Sequence, residues 1–163
     1  MNINELEEDI KKHKERSPES FNEIINVTIP FYMFHRKIFD GISKLQEERY
    51  QLTNSELDVL TSLKMSDNRD FILSPTRLNE RLLFTSGAIT KILKKLEEKK
   101  YIKRLDNKFD KRSKLVQLTP LGEEVAEKAL KDVLNLEEKY FDALSTKEKK
   151  LLKELFVKML KNI

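Results

Sequence analysis

The sequence predicts a mainly α-helical fold with a small β-wing, an α+β class, on three observations. Apolar side chains recur every three or four positions along most of the 163 residues, as they do on one face of an amphipathic helix. The chain has only three glycines and four prolines, too few for the many turns of an all-β fold. Two short segments, 101–105 and 115–118, have the composition of strands.

Composition excludes several classes of protein. The chain contains no cysteine, which excludes disulfides, thiolate zinc sites, iron–sulfur clusters and thiol-based redox switches. No apolar run approaches the roughly 20 residues that a membrane-spanning helix needs, and the residues before Phe21 are too charged for a secretory signal. Because 37% of the residues are charged and 39% are hydrophobic, we expect a soluble, cytoplasmic protein with its own core and no membrane partner.

The N-terminal part is predicted to form an arm followed by a long helix. Residues 1–29 are the arm, in which Ile3 and Leu6 have helical spacing, so the arm is either helical or frayed. The long helix is predicted over 30–50, with Pro30 in its first turn. The apolar residues of this helix follow a three-four spacing: Phe31, Phe34, Ile38, Ile42 and Leu45.

Capping residues mark the start of the next two helices. Thr53 and Glu56 form a T-x-x-E capping box, in which each side chain accepts a hydrogen bond from the backbone N–H of the other. Residues 71–73 are predicted to form a short strand that joins the edge of the hairpin. Ser74 is then an N-cap, and Pro75 occupies the first turn of a short helix. A turn joins this helix to the next one, which is the helix-turn-helix arrangement.

The helix that begins at Ser86 has one apolar face and one face suited to DNA. Ser86 is its predicted N-cap, so the positive end of the helix dipole points toward a bound molecule. The apolar face carries Ile89, Ile92, Leu93 and Leu96. The opposite face carries small, hydroxyl-bearing or cationic side chains, which suit a surface that enters a major groove: Gly87, Ala88, Thr90, Lys91, Lys94 and Lys95. We expect the hydroxyls of Ser86 and Thr90 to contact base edges.

The loop between the two predicted strands is polar and long enough to project. A helix followed by a hairpin with a basic tip is the plan of a winged helix, in which the helix reads bases and the wing contacts the backbone or the minor groove. The wing residues expected at the DNA are Lys108, Asp110, Lys111 and Arg112. Arg112 either inserts into the minor groove or pairs with Asp110, which we expect to brace the wing. In the helix before, Arg77 and Arg81 are candidates for phosphate contacts.

Positive charge is concentrated on this part of the chain. Residues 77–114 carry 13 basic and 5 acidic side chains, a net charge of +8, whereas the whole chain carries +4. The remainder therefore has a net charge of −4. A positive charge confined to one segment is the expected footprint of a phosphate-binding surface.

Two further helices are predicted in the C-terminal part. The first begins at Thr119 and Pro120, and the second begins at a capping box formed by Ser145 and Glu148. The second has an apolar face that needs a partner: Leu151, Leu152, Leu155, Phe156, Met159, Leu160 and Ile163.

These elements predict two lobes. Residues 53–118 are expected to form a winged helix-turn-helix DNA-binding lobe. Residues 30–52 and 119–163 are expected to form a helical dimerisation lobe built from both termini. A two-fold dimer would place two recognition helices about 34 Å apart, in successive major grooves.

The chain resembles the MarR family of winged-helix transcriptional regulators over about residues 30–163. The stretches SGAITKILKKLEEKKYIKR and DKRSKLVQLTPLGEE resemble, in order, the family's recognition helix, its wing with a D-x-R motif (Asp110 and Arg112), and the L-T-x-x-G motif that ends here at Gly122. The resemblance implies a homodimer that binds palindromic operators in double-stranded DNA, often as a repressor. It also implies release of DNA when a small, frequently phenolic or aromatic anion binds between the lobes. The redox-sensing branch of the family uses a cysteine, which this chain lacks.

Two roles are open for the polar and aromatic residues of the long N-terminal helix. As a ligand site they would supply apolar walls and a cationic or titratable group for a carboxylate: Tyr32, Phe34, His35, Arg36 and Phe39. Alternatively, the same side chains pack in the core of the dimer or of the lobe.

No enzyme motif such as H-E-x-x-H, G-x-S-x-G or a P-loop occurs, so no catalytic residue and no cofactor is expected. His13 and His35 are too far apart to suggest a metal site. The leading prediction is a sequence-specific, homodimeric repressor that binds a palindromic operator in double-stranded DNA and is released by a small aromatic or phenolic ligand. The alternatives are an architectural winged-helix protein that binds any duplex, and a protein-interaction module whose basic face meets an acidic partner.

Overall fold

The computed structural model describes residues 3–66, 70–107 and 114–162, which form seven helices and three strands. The elements are α1 (Ile3–Arg16), α2 (Ile25–Tyr50), α3 (Asn54–Lys64), β1 (Ile72–Leu73), α4 (Pro75–Leu82), α5 (Ser86–Glu98), β2 (Ile102–Asp106), β3 (Lys114–Leu118), α6 (Pro120–Phe141) and α7 (Thr146–Leu160). The predicted mainly α fold with a small β-wing is confirmed. None of the described helices is long and apolar enough to cross a membrane. The chain divides into two compact units, Met1–Asp40 and Gly41–Ile163.

The first unit contains α1 and the N-terminal part of α2. Leu6 of α1 is buried, with 5% of its surface exposed. After α1 ends, the ring of Phe21 lies beside two side chains of that helix: the Lys14 ammonium is 5.1 Å from the ring centroid, and the His13 ring is in an edge contact. Lys14 also pairs with Glu23 at 3.0 Å. Most of the described part of the arm is therefore helical, and these contacts connect α1 to the segment that leads into α2.

The start of α2 differs from the sequence-based prediction. The helix begins at Ile25, and Pro30 lies inside it rather than in its first turn. Asn22 accounts for the earlier start, because its side-chain oxygen accepts a hydrogen bond from Ile24 N–H at 2.9 Å and its carbonyl accepts one from Ile25 N–H at 3.0 Å. A proline inside a helix removes one backbone hydrogen bond, yet α2 continues to Tyr50.

The second unit is built around one hydrophobic core that α3, α4, α5, α6 and the sheet share. The side chains at its centre have 0% exposure and are Val59, Leu60, Leu63, Leu78, Leu96 and Val116. Ala126 and Ala129 of α6 are also fully buried, so small side chains allow α6 to approach its neighbours closely. This core holds α4 and α5 against the sheet.

Three antiparallel strands form the sheet in the order β1-β3-β2. The strand predicted over 71–73 is confirmed, because β1 pairs with β3 at the edge of the hairpin. In the β2–β3 hairpin, Ile102 lies opposite Leu118, and Asp106 lies opposite Lys114. The first pair is buried and the second is exposed, so the hairpin leaves the core as it approaches its tip.

Thr119 holds the junction between β3 and α6. Its hydroxyl donates to the Lys100 carbonyl at 2.8 Å and accepts from Gly122 N–H at 3.0 Å, as an N-cap does. Its own N–H donates to the Tyr101 carbonyl at 3.0 Å. Through these hydrogen bonds, the L-T-x-x-G motif connects the first turn of α6 to the turn before β2.

Asp132 of α6 connects that helix to the C-terminal end of α2. Its carboxylate accepts hydrogen bonds from the Tyr50 hydroxyl and from the Arg49 guanidinium, both at 2.8 Å. These two hydrogen bonds lower the pKa of Asp132. Burial, followed by the hydrogen bond to Asp132, raises the pKa of Tyr50. Both shifts favour the ionised carboxylate and the neutral phenol, so the contact is intact at neutral pH.

The last helix, α7, has no buried residue. It begins at the predicted capping box, where Ser145 N–H donates to the Glu148 carboxylate at 2.7 Å and the Ser145 hydroxyl accepts from Glu148 N–H at 3.4 Å. Its exposed apolar side chains are Leu151, Leu155, Phe156, Val157, Met159 and Leu160. These side chains form a largely exposed apolar face on an otherwise charged helix.

Candidate nucleic-acid interface

The helix-turn-helix consists of α4, α5 and residues 83–85 between them. Leu83 ends α4 in the left-handed region, with a φ of 53°, and Thr85 is extended. On the inner side, Leu78 of α4 and Leu93 of α5 are buried in the shared core. The apolar face of α5 therefore anchors this helix, as predicted, and its opposite face is left to solvent.

The N-cap of α5 is Thr85, so the prediction that Ser86 caps the helix is wrong by one residue. The Thr85 hydroxyl accepts a hydrogen bond from Ala88 N–H at 3.2 Å. Both residues are good N-caps, and the choice follows from the turn, which leaves Thr85 with extended backbone angles. Ser86 is consequently the first helical residue, and its side chain is exposed.

The outer face of α5 has the composition that the sequence predicted. The exposed residues of this face are Ser86, Gly87, Thr90, Lys91, Lys94 and Lys95, and Ala88 is half-buried. A Cβ atom added to Gly87 would meet no atom within 4 Å, so the packing of this chain does not require a glycine there. The exposed residues from Ser86 to Lys95 therefore form a cationic strip along α5.

Hydrogen bonds and ion pairs on this strip are few. The Thr90 hydroxyl donates to the Ser86 carbonyl at 2.8 Å, and the Lys94 ammonium lies 3.9 Å from the Glu98 carboxylate. Within the described ranges, neither Lys91 nor Lys95 has a carboxylate within ion-pair distance. Two ammonium groups are therefore available to bind phosphate without first breaking an ion pair.

The two arginines of α4 have different partners. Arg77 is exposed and pairs with Glu80 at 2.9 Å, so a phosphate would compete with this carboxylate. Arg81, a candidate for phosphate contact, instead donates to the Ser62 carbonyl at 3.1 Å and to the Met65 carbonyl at 3.3 Å. Because carbonyls at the end of a helix lack partners within it, Arg81 supports the end of α3.

The wing is described only at its base. Asp106 and Lys114 form an ion pair across the hairpin, and the hydrogen bond from Lys114 lowers the pKa of Asp106. Arg104 of β2 donates to Glu97 of α5 at 3.3 Å, so this contact joins the base of the wing to the helix. The predicted wing contacts, Lys108, Asp110, Lys111 and Arg112, lie outside the described residues.

Sequence reasoning missed Lys99, at the C-terminal end of α5. Its ammonium donates to the Gln51 carbonyl at 2.6 Å and to Glu56 Oε2 at 3.1 Å. The Glu56 side chain is only 2% exposed, and its other oxygen has no hydrogen-bond partner. The capping box identified Glu56 as a cap, which the Thr53 N–H bond at 2.8 Å confirms. Nothing in the local sequence pointed to a lysine 43 positions later.

The candidate ligand-binding residues lie along α2. Tyr32, Phe34, His35, Arg36 and Phe39 are all exposed in the single chain. The His35 ring stacks between Phe31 and Phe39, with ring centroids 6.1 Å apart on each side, and Arg36 lies 3.9 Å from Asp40. The structure therefore brings His35 and Phe39 together. Across the described ranges, no group of three His, Asp or Glu side chains could hold a metal ion.

The geometry defines a class of protein. A helix-turn-helix is packed on an antiparallel hairpin, and its second helix presents hydroxyl groups and lysines on its exposed side. A rigidly held helix of this chemistry followed by a wing is typical of winged-helix DNA-binding proteins.

Comparisons with known proteins identify the family. A model of the MarR family matches residues 50–113. An HTH-type transcriptional regulator from Bacillus cereus is 34% identical over 116 residues, 71% of this chain and 74% of that protein. The multiple antibiotic resistance protein MarR from Salmonella typhimurium is 34% identical over 107 residues, 66% of this chain and 71% of that protein. A crystal structure of mutant E. coli MarR with operator DNA has a TM-score of 0.73 and 28% identity, covering 86% of this chain and 98% of that one.

This chain belongs to the MarR family. It is therefore a DNA-binding transcriptional regulator with a winged helix-turn-helix, and not an enzyme.

Proposed function

We propose that this protein is a cytoplasmic homodimer that binds an inverted-repeat operator in double-stranded DNA, represses transcription there, and releases the operator when a small aromatic ligand binds. The observation that carries the DNA-binding part is the outer face of α5. It is exposed along its length and contains two lysines without ion-pair partners in the described chain, while the inner face is locked into the core. The similarity to E. coli MarR with operator DNA supports the same use of this helix.

In the proposed complex, residues 86–95 lie in a major groove. The hydroxyls of Ser86 and Thr90 read base edges, because hydroxyls can exchange hydrogen bonds with them. Gly87 and Ala88 permit close approach, and lysine side chains bind the flanking phosphates: Lys91, Lys94 and Lys95. Arg77 adds a phosphate contact when it leaves Glu80. Phosphate contacts supply affinity and base contacts supply specificity, so binding weakens as salt rises.

The wing provides the second contact of each protomer. Lys108, Lys111 and Arg112 are close in sequence to the exposed base of the hairpin formed by Asp106 and Lys114. We assign these three cations to the neighbouring backbone or minor groove, where a narrow groove attracts guanidinium groups. In this proposal, Asp110 would pair with Arg112 and hold the wing in shape.

The apolar face of α7 supports the homodimer, with a helical dimerisation lobe built from 30–52 and 119–163. Leu151, Met159 and Leu160 are more than half exposed in the single chain, and Leu155 is 47% exposed. Leaving such side chains in water costs about 25 cal/mol per Å² of apolar surface. A second copy offers an identical face, and a two-fold axis would then repeat α5 at one-turn spacing along the DNA.

Ligand release would act on the spacing of the two recognition helices. Aromatic side chains and two basic groups are exposed on α2: Tyr32, Phe34, His35, Arg36 and Phe39. Such a set suits an aromatic anion. A ligand that binds only dimers whose recognition helices do not match the spacing of the operator shifts the population toward those dimers. The free energy of operator binding is then weakened by the coupling free energy between ligand and operator.

The proposal is tested by selecting bound duplexes from a random double-stranded pool with purified protein at physiological salt. We expect enrichment of an inverted repeat whose half-sites are about one helical turn apart. Retention of DNA without any enriched motif would instead support the architectural role, and no retention at all would support the protein-interaction role.

The selected operator then provides the test of ligand release. Aromatic carboxylic acids are titrated into the complex, and the Kd for the operator is measured by fluorescence anisotropy. An unchanged Kd across a broad panel would reject the ligand-release step and leave operator recognition standing.

Replacing Leu155 with lysine is expected to dissociate the dimer, because it places a charge in the middle of the proposed apolar interface. Sedimentation equilibrium should show a monomer, and operator affinity should fall at least about tenfold, equivalent to 1.4 kcal/mol. Lys150→Ala on the same helix is the matched control and should remain dimeric. A dimeric Leu155→Lys protein would contradict the assignment of this face.

A further inference from the structure

Thr90 is the most informative side chain on the outer face of α5, because its hydrogen-bonding direction is defined by the structure. Its Oγ1 lies 2.8 Å from the Ser86 carbonyl oxygen. A carbonyl has no proton, so the hydroxyl must be the donor. The single proton of Thr90 is therefore committed to the helix backbone, and only its lone pairs are available to a bound molecule.

The helical backbone favours the hydrogen bond from the Thr90 hydroxyl to the Ser86 carbonyl. A β-branched side chain has few χ1 rotamers in a helix, and threonine favours those that let its hydroxyl donate to a carbonyl one turn earlier. Turning the hydroxyl proton outward would break the hydrogen bond to the Ser86 carbonyl. A duplex that requires a hydrogen-bond donor at Thr90 would have to offset the free energy of this lost bond.

The lone pairs of Thr90 are also accessible. Helical side chains lean toward the N-terminus, so Thr90 covers the surface of the preceding turn, where residue 87 lies. Residue 87 is a glycine with open space around it. On the C-terminal side, the Lys94 ammonium lies toward Glu98 rather than over Thr90. On the same preceding turn, the Ser86 hydroxyl accepts a hydrogen bond from the Asn79 side-chain amide at 3.5 Å. A base edge can therefore approach the exposed Thr90 over Gly87, which carries no side chain.

From these contacts we infer that Thr90 is a specificity-determining residue that accepts a hydrogen bond from an exocyclic amino group in the major groove. The inference rests on the proposed function, because it requires α5 to read an operator. Adenine and cytosine present amino groups at the major-groove edge, at N6 and N4, whereas guanine and thymine present keto oxygens in that position. Thr90 thus selects adenine or cytosine on the strand it contacts and rejects guanine and thymine, whose keto oxygen would face its lone pairs.

Two substitutions separate the acceptor from the shape of the side chain. Thr90→Val keeps the branched shape and removes the oxygen, whereas Thr90→Ser keeps the oxygen and removes the methyl group. Both changes are on the exposed side of the helix, so thermal unfolding of the three proteins should agree to within a few degrees. This agreement confirms that any difference in DNA selection arises at the interface.

The experiment is selection from a random duplex pool with wild-type protein, Thr90→Val and Thr90→Ser, at the same salt concentration. The wild type should show adenine or cytosine at one position of each half-site. Thr90→Val should lose this amino-over-keto preference by about tenfold at that position alone, equivalent to 1.4 kcal/mol, and Thr90→Ser should keep it.

An unchanged motif from Thr90→Val, or a loss of the same preference in Thr90→Ser, would overturn the inference and leave the proposed function standing. A wild-type protein that enriches no motif would overturn both. The two failures are therefore distinguished by the wild-type selection alone.

Discussion

Replacing Gly122 with alanine is expected to destabilise the second unit by about 3 kcal/mol, at the upper end of the cost of overpacking. A Cβ atom at this position would overlap the carbonyl oxygen of Tyr101 and lie 2.8 Å from its carbonyl carbon. These are backbone atoms, and the carbonyl is held in place by Thr119 N–H at 3.0 Å. Relief of the overlap would require α6 to move away from the turn before β2.

Urea denaturation followed by helical circular dichroism measures this effect. Gly87→Ala is the matched control, because a Cβ atom there meets nothing within 4 Å. Since glycine within a helix is less favourable than alanine by up to about 1 kcal/mol, the control should be as stable as the wild type or more so. A loss below about 1 kcal/mol in Gly122→Ala would show that the junction adjusts easily, contrary to the geometry.

Replacing Lys99 with methionine is expected to cost about 2 to 3 kcal/mol of folding free energy, because it leaves the Glu56 carboxylate buried without its cation. The carboxylate is 2% exposed, and after the substitution it keeps only the hydrogen bond from Thr53 N–H. The Gln51 carbonyl also loses a donor that lies at 2.6 Å. The expected loss is below that of a fully buried pair, since the Lys99 side chain is 29% exposed.

Two controls assign the loss to the buried charge. The double variant Glu56→Gln with Lys99→Met should recover much of the stability, because glutamine still completes a capping box and carries no charge. Lys94→Met removes a lysine from the exposed pair with Glu98, 3.9 Å away, and should change stability by less than about 0.5 kcal/mol. If the double variant is as unstable as Lys99→Met, the charge of Glu56 is not the cause.

The sequence predicted the elements of this fold well because their signals are local. The capping boxes at Thr53 and Ser145 involve residues three positions apart, and both form as expected. The apolar stripe of α5 repeats every three or four residues, and it is the buried face of that helix. Such patterns determine structure through neighbours on one turn, so they can be interpreted without knowing the rest of the chain.

Two boundaries were predicted incorrectly where two local signals competed. Thr85 and Ser86 are both good caps, and the conformation of residues 83–85 decided between them. Pro30 suggested the first turn of a helix, but Asn22 supplies a start further upstream. In each case the individual signals were correct, and their relative strength depended on backbone geometry that the sequence does not display.

The sequence by itself indicated most of the helices, the hairpin, the concentration of positive charge and the residues on the exposed face of α5. Only the tertiary structure decided that Arg81 supports α3 and that Lys99 neutralises the buried Glu56. Their partners are 16 to 48 residues away along the chain. Periodicity and capping are properties of one turn, whereas the partner of a long cationic side chain depends on which distant carbonyl or carboxylate the folded core brings within about 3 Å.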